Sequence, residues 1–372
     1  MGGTSETQAS AGRIAVYGAT GYTGRLVAAE LASAGADFVL AGRNRPKLEV
    51  LASEVGGSVS VEAVALDDAA ALRELIEPSV AVIACAGPFA IHGEPVARTA
   101  AEAGTHYLDT TGEQGFMKRV FDEIGPIAEE SGAALMTGMG FDYVPGDMIA
   151  SLTAEGMGPL DELSLNYAVA GFGPSRGTAR TALSQIAGSD VQWLEGSYVP
   201  GDSSISRGKF DFGDEIGVQR MTRYPAGEHI TVPRHVETRT VRTALTASTT
   251  SPVAIGAPVL MTGLAAAIKT PLGRALNAAV NRLPEGPPEE RRRAARFTIV
   301  CDARAGARRR RGVIRGEDIY GMTARAIVAG AIRCAEPGFA KKGALAPSEA
   351  FDPAEFLPEL AEFGVQHEII PV

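Results

Sequence analysis

Cysteine, histidine and tryptophan are scarce in this 372-residue chain, numbering three, five and one. Cys85, Cys301 and Cys334 are odd in number and far apart, which excludes a disulfide framework and leaves no ligand spacing for a metal. The same sparseness suits a reducing cytoplasm. Basic residues are also in deficit, 35 against 44 acidic ones for a net charge of −9, so general nucleic-acid binding is excluded. No apolar run is long enough to span a bilayer. Residues 243–268 carry no charge, yet prolines and a Thr/Ser cluster leave the apolar part short of the roughly 20 residues a spanning helix needs. That stretch reads as a buried helix, or else as a wall for an oily substrate or a membrane-surface contact. The first dozen residues lack the apolar centre of a secretory signal and read as a disordered tail. Repeats and long linkers are missing too. What remains is 45% hydrophobic, long for one domain, and divides most naturally into two.

The most informative stretch that is present is Gly18-Ala-Thr-Gly21-Tyr-Thr-Gly24, between an apolar run, Ile14-Ala-Val-Tyr17, and a helical pattern ending at Gly35. Strand, glycine turn and helix in that order bring backbone N–H groups to a pyrophosphate, with small residues where a Cβ would collide. Gly18, Thr20, Gly21, Tyr22, Thr23 and Gly24 are therefore expected at the cofactor. The next strand pattern ends in Arg43-Asn44, with no acid between Asp37 and Glu49. An NAD-selective site places a carboxylate there for the ribose 2′-hydroxyl, whereas a guanidinium grips a 2′-phosphate. NADP (NADPH) is the expected cofactor, held by Arg43 and secondarily Asn44.

Strand patterns at 14–18, 38–41, 59–65, 80–85, 106–108 and 133–137 alternate with helical ones. This predicts an α/β fold, a Rossmann-type doubly wound parallel sheet over residues 1–146, with the ligand at the carboxyl ends of the strands. Cys85, Ala86, Gly87, Pro88 and Phe89 then join the cofactor loops. Residues 147–372 change to longer strands and Gly/Pro turns, including 162–169, 218–224, 235–243 and a hairpin of 296–304 with 308–314. A second α+β domain is expected there, for substrate and for dimerisation in a homo-oligomer.

Hydride transfer asks the protein for positioning and a proton source. His92, Tyr107, Asp109, Glu113, Asp142 and Tyr143 fall in the predicted site loops. Of these, His92 and Tyr143 are the catalytic candidates, each weighed against a plain loop or packing role. Cys85 has no histidine arranged to make it a nucleophile. Ser175-Arg-Gly-Thr178 could hold a carboxylate or carbonyl oxygen, or simply cap a helix. The run Arg308 to Arg311 is a solvated face, or a dock for an acidic carrier protein.

Taken with Ala41-Gly-Arg-Asn44, Cys85-Ala-Gly-Pro-Phe89, Tyr107-Leu-Asp-Thr-Thr-Gly-Glu113, Gly140-Phe-Asp-Tyr-Val-Pro-Gly-Asp147, Gly177-Thr178 and Tyr320-Gly-Met-Thr-Ala324, the glycine turn resembles the saccharopine dehydrogenase-like NADP-binding oxidoreductases, especially their trans-acting enoyl reductase branch. The resemblance implies NADPH, an acyl-thioester substrate reduced at an enoyl bond, and a 320–334 helix that returns to the first domain. It also admits a saccharopine-type C=N reductase, for which Arg176 or Arg180 would bind a carboxylate, and a non-catalytic NADP-binding lipid-associated or regulatory protein. His92 stands where members of the branch often carry tyrosine, and the second domain is shorter than is usual in the branch.

Overall fold

The computed structural model describes residues 12–57, 59–141, 143–187, 190–202, 206–248, 280 and 282–371. Asp142 and most of the uncharged 243–268 stretch therefore lie outside the described residues. Six short strands open the chain: β1 (Ile14–Tyr17), β2 (Phe38–Gly42), β3 (Ser60–Ala63), β4 (Ala81–Ala84), β5 (His106–Asp109) and β6 (Ala134–Met136). They pair in parallel in the order β3-β2-β1-β4-β5-β6. This is the predicted doubly wound sheet, and the strand order reverses between β1 and β4, where ligands of such sheets bind.

Both faces are covered, and the residues show why. Ile14, Val16, Leu40, Ile83, Leu108 and Met136 enter one core, while Ala15, Tyr17, Val39, Val82, Tyr107 and Leu135 enter the other. Successive side chains point to opposite faces, so near-continuous apolar strands are what a sheet buried on both sides requires. Helices α1 (Tyr22–Ser33), α2 (Arg45–Val55), α3 (Ala69–Ile76) and α4 (Phe89–Ala103) supply the covering layers.

The second sheet is built from β7 (Glu162–Ala170), β10 (Ser206–Asp211), β11 (Val218–Arg223), β12 (Val241–Thr246), β13 (Arg296–Ala305), β14 (Arg308–Glu317) and β16 (Gln366–Pro371), with β8 (Val191–Leu194) and β9 (Ser197–Pro200) forming a separate hairpin. Its order is β10-β11-β12-β7-β13-β14-β16. The β13–β14 hairpin pairs in register from Arg296↔Glu317 to Ala305↔Arg308, as predicted and three residues longer at its far end.

Two differences from the sequence reading concern placement. A strand was expected over 235–243, but Glu228–His235 is a helix and β12 begins at Val241. Only His235 is common to the two; residues 236–240 run as irregular backbone with a single bridge from Thr238 to Leu160, and the strand starts where Val241 pairs with Leu163. The boundary at residue 146 is also crossed from the far end. Strand β15 (Gly343–Leu345) pairs in parallel with β6, completing the first sheet. The Ile319–Cys334 helix packs on α1, as the resemblance implied; a Cβ on its Gly330 would sit 3.0 Å from Leu108 Cδ2.

Candidate active site

The glycine turn fits a dinucleotide for steric reasons that can be read atom by atom. Gly18 lies at φ +80°, and a Cβ there would stand 2.9 Å from the Ala86 nitrogen and 3.0 Å from the Cys85 carbonyl carbon. The β1 turn and the β4 loop therefore touch at the switch point. At Gly24 a Cβ would come within 2.5 Å of the Gly18 oxygen and 2.7 Å of the Ala19 oxygen, so α1 can pack this closely only with glycine. Gly21 begins α1 with no side-chain cap, and the first neighbour a Cβ there would meet is 3.4 Å away. An uncapped helix start facing open space is the arrangement that receives a phosphate. Thr20, Tyr22 and Thr23 flank it, half-buried. Tyr22 is also structural: its hydroxyl donates to the Pro287 carbonyl at 2.8 Å and its ring meets Tyr320 edge-on at 5.1 Å.

Arg43 stands exposed at the end of β2, and among the described residues no carboxylate lies within ion-pair distance of it. Its neighbour Arg45 is occupied by Glu49, 3.9 Å away. Asn44 caps α2, its Oδ1 accepting from the Lys47 amide at 3.0 Å, so that oxygen is already used. Asn44 thus spends its oxygen on the helix and keeps its Nδ2 donors, and the Arg43 guanidinium remains the expected partner for a 2′-phosphate.

The second loop, Cys85 to Phe89, contains a cis Gly87–Pro88 peptide and leads into α4. Proline offers α4 no side-chain cap, and Glu113 supplies one from across the site: Oε1 accepts from the Phe89 amide at 2.7 Å and Oε2 from the Ala90 amide at 3.0 Å. Thr181 of the Arg176–Ala187 helix donates to the same Oε1 at 3.2 Å. His92 lies one turn into α4, half-buried. Burial, then the positive charges of Arg43 and Arg180, push its pKa below the ordinary histidine value, with Glu113 opposing them. The imidazole is accordingly neutral near pH 7. Burial and Asp109 raise the Cys85 thiol to about 12, so it is no nucleophile.

Asp109 is fully buried and its pKa is raised to about 7, mainly by burial. Its Oδ1 accepts from the Thr111 amide at 2.8 Å and the Gly138 amide at 3.0 Å, pinning two site loops together. Tyr143, a catalytic candidate from the sequence, is 1% exposed, and its hydroxyl donates to the Gly112 carbonyl at 2.7 Å. Its ring packs with Met117, Ala226 and Ile230, the geometry of a loop anchor.

The second domain closes the far wall. Ser175 Oγ accepts from the Thr178 amide at 3.1 Å, capping the Arg176–Ala187 helix, and the Tyr320 hydroxyl contacts the Ser175 amide at 2.7 Å and Thr178 Oγ1 at 2.9 Å. Arg176 is spent on the Leu283 carbonyl at 3.0 and 2.6 Å. The Arg308–Arg311 run is largely committed too: Arg308 and Arg310 donate to backbone carbonyls near the end of helix Val144–Ala154, and Arg311 to Asp302. The sequence reading named Glu113 as a proton-donor candidate and missed its capping role and Thr181 altogether. Pro88 ahead of a helix, with no side-chain cap of its own, was the one available signal for a cap supplied from elsewhere.

Residues 14–134 match the saccharopine dehydrogenase NADP binding domain. A trans-acting enoyl reductase of Mycobacterium tuberculosis is 34% identical over 140 residues, 36% of this chain and 34% of that protein. A lipid droplet localized protein of Caenorhabditis elegans is 33% identical over 146 residues, again 36% of this chain and 34% of its own length. The chain thus spans about a third of the length of the curated relatives it matches. Apo saccharopine dehydrogenase (L-Glu forming) of Saccharomyces cerevisiae has the same fold, with TM-score 0.60 over 97% of this chain and 100% of that one, at 14% identity. Among the described residues, no helix is long and apolar enough to cross a membrane.

Proposed function

We propose that this chain, whose residues 14–134 are a saccharopine dehydrogenase-type NADP-binding domain, is an NADPH-dependent reductase of an enoyl thioester or similar conjugated acceptor. NADPH, when bound, supplies a hydride equivalent to the acceptor carbon. The chain's own residues do the rest. The uncapped start of α1 and the Gly18 turn hold the pyrophosphate, and Arg43 holds the 2′-phosphate with a charge-assisted hydrogen bond. Ala86, Gly87, Pro88 and Phe89 form the floor beside the switch point. His92, neutral in the free protein, offers an N–H to the acceptor's oxygen or relays a proton to its reduced form; Tyr143 holds the loop beneath.

The observation that carries the choice of acceptor is the commitment of Arg176 to the Leu283 carbonyl, together with the Glu113 carboxylate on the start of α4. A C=N reductase acting on amino-acid-derived imines needs fixed carboxylate binders; Arg176 and the start of α4 are spent, and Arg180, whose positive charge reaches His92, is the position at which a carboxylate would be tested. An uncharged acyl group fits the remaining wall of Ser175, Thr178 and Tyr320 hydroxyls. Three free thiols support a reducing compartment such as the cytoplasm for this reaction, with the acyl group arriving on a carrier protein. Loss of the reduced-nicotinamide absorbance on adding an enoyl thioester, and none on adding an amine with a keto acid, is the expected result. Consumption only with the amine and keto acid would transfer the assignment to imine reduction.

A further inference from the structure

Glu113 is 4% exposed and belongs to a loop whose backbone is fixed on both sides. Its own amide donates to Thr111 Oγ1 at 3.1 Å, and its carbonyl accepts from the Phe116 and Met117 amides at 3.0 and 3.1 Å. The carboxylate is therefore presented at a set point, where it meets the first two amides of the 15-residue α4 and the Thr181 hydroxyl of the second domain. The start of a helix is where a substrate carboxylate would otherwise settle, because its N–H groups and dipole favour negative charge. Thr181 Oγ1 also stands 3.8 Å from where a Gly87 Cβ would be, so this contact lies against the cofactor loop itself.

We infer that Glu113 is a positioning and specificity-determining residue: an internal carboxylate that fills the anion site at the start of α4, ties the Cys85–His92 segment to the substrate domain through Thr181, and bars acidic acceptors from that point. The inference rests on the reductase reading for its consequence in turnover, and on hydrogen bonds alone for its structural part. A carboxylate is needed because it accepts from two amides and a hydroxyl together; a glutamine in its place offers one acceptor oxygen. The negative charge also opposes Arg43 and Arg180 at His92.

The test uses the full chain with Glu113→Ala, Glu113→Gln and Thr181→Val, read by amide hydrogen exchange and by turnover of an enoyl thioester. In Glu113→Ala, exchange at Phe89 and Ala90 should quicken ~10-fold or more and turnover should fall ~10- to ~100-fold, with NADPH affinity within ~3-fold. Added sodium formate should restore both slow exchange and turnover in Glu113→Ala and do nothing to the wild type. A carboxylate-bearing acyl acceptor should compete better against the variant than against the wild type. Thr181→Val should quicken exchange in the 176–187 helix while leaving Phe89 and Ala90 protected. Unchanged exchange at Phe89 and Ala90 in Glu113→Ala, or no response to formate in either readout, would overturn the inference; if the alanine variant does not fold, Glu113→Gln decides by the same exchange measurement. A wild type inert toward enoyl thioesters would sink the reductase reading alone, since the exchange and formate arms report on Glu113 without turnover.

Discussion

On the proposed reading Arg43 makes the choice between the two dinucleotides: it stands exposed at the end of β2, and among the described residues no carboxylate lies within ion-pair distance of it. Arg43→Ala should weaken NADPH binding ~10- to ~100-fold, the loss expected of a charge-assisted fork on phosphate, and leave NADH affinity unchanged in fluorescence titrations. Equal losses for both nucleotides would remove Arg43 from the 2′-phosphate. His92 carries a second prediction. Its pKa in the free protein is depressed by burial, Arg43 and Arg180, and cofactor phosphates brought into that positive field would raise it. The bound state then holds the extra proton, so NADPH affinity should rise as pH falls from the bound-state pKa toward the free-state one. Calorimetry in two buffers of different ionisation enthalpy should show proton uptake in the wild type and none in His92→Asn. Arg43 stands out in the sequence because an acid is expected near its position and none occurs. Tyr143 could not be judged that way, since the Gly112 carbonyl that takes its hydroxyl comes from a different loop.

At the scale of elements, the β1–turn–α1 unit is bound by one close approach, that of Gly24 to the Gly18 and Ala19 oxygens. Gly24→Ala should push α1 away from the turn and lower NADPH affinity ~10-fold or more, with a loss of stability on the order of 1–3 kcal/mol in denaturant melts. An alanine variant that binds as the wild type does would mean that the turn has slack the contact distances deny. This unit was legible because glycine spacing, strand and helix all reinforce one another. The Glu228–His235 helix was not, because its β-branched residues favour a strand and only burial against its neighbours decides. Strand β15 was missed for a related reason. Three residues far along the chain carry no periodicity, and what recruits them is the open edge of β6, invisible until the sheet exists.

Across the whole molecule the two sheets share one core. Leu40 and Ile83 of the first sheet and Leu165 and Ile299 of the second belong to the same buried cluster, bridged by the Val144–Ala154 and Ile319–Cys334 helices. Stability should therefore be lost in one transition, and a buried histidine sets part of its pH dependence. His229 is 4% exposed, receives the Trp193 amide on Nδ1 and contacts Thr243 through Nε2; burial foremost, then Arg207, Arg223 and Arg242, lower its pKa to about 4. The unfolded chain takes up a proton near pH 6.5 that the folded one refuses, so this contribution is whole above that pH and is lost as pH falls toward about 4. It is worth about 3 kcal/mol on the scale of 1.36 kcal/mol per pKa step. Urea melts at descending pH should show that decline, and His229→Gln should flatten it.

On the proposed reading the domain pairing also sets what is asked of the cleft, an NADP site on one side and the Ser175, Thr178 and Tyr320 hydroxyls on the other. The direct measurement is transfer of deuterium from C4-labelled NADPH, followed by mass spectrometry of the products formed from an enoyl thioester and from an amine with a keto acid. Label in the saturated acyl product, dependent on Arg43 and absent when NADH replaces NADPH, is the predicted result. Label in a secondary amine, or in neither product although NADPH binds, would contradict it.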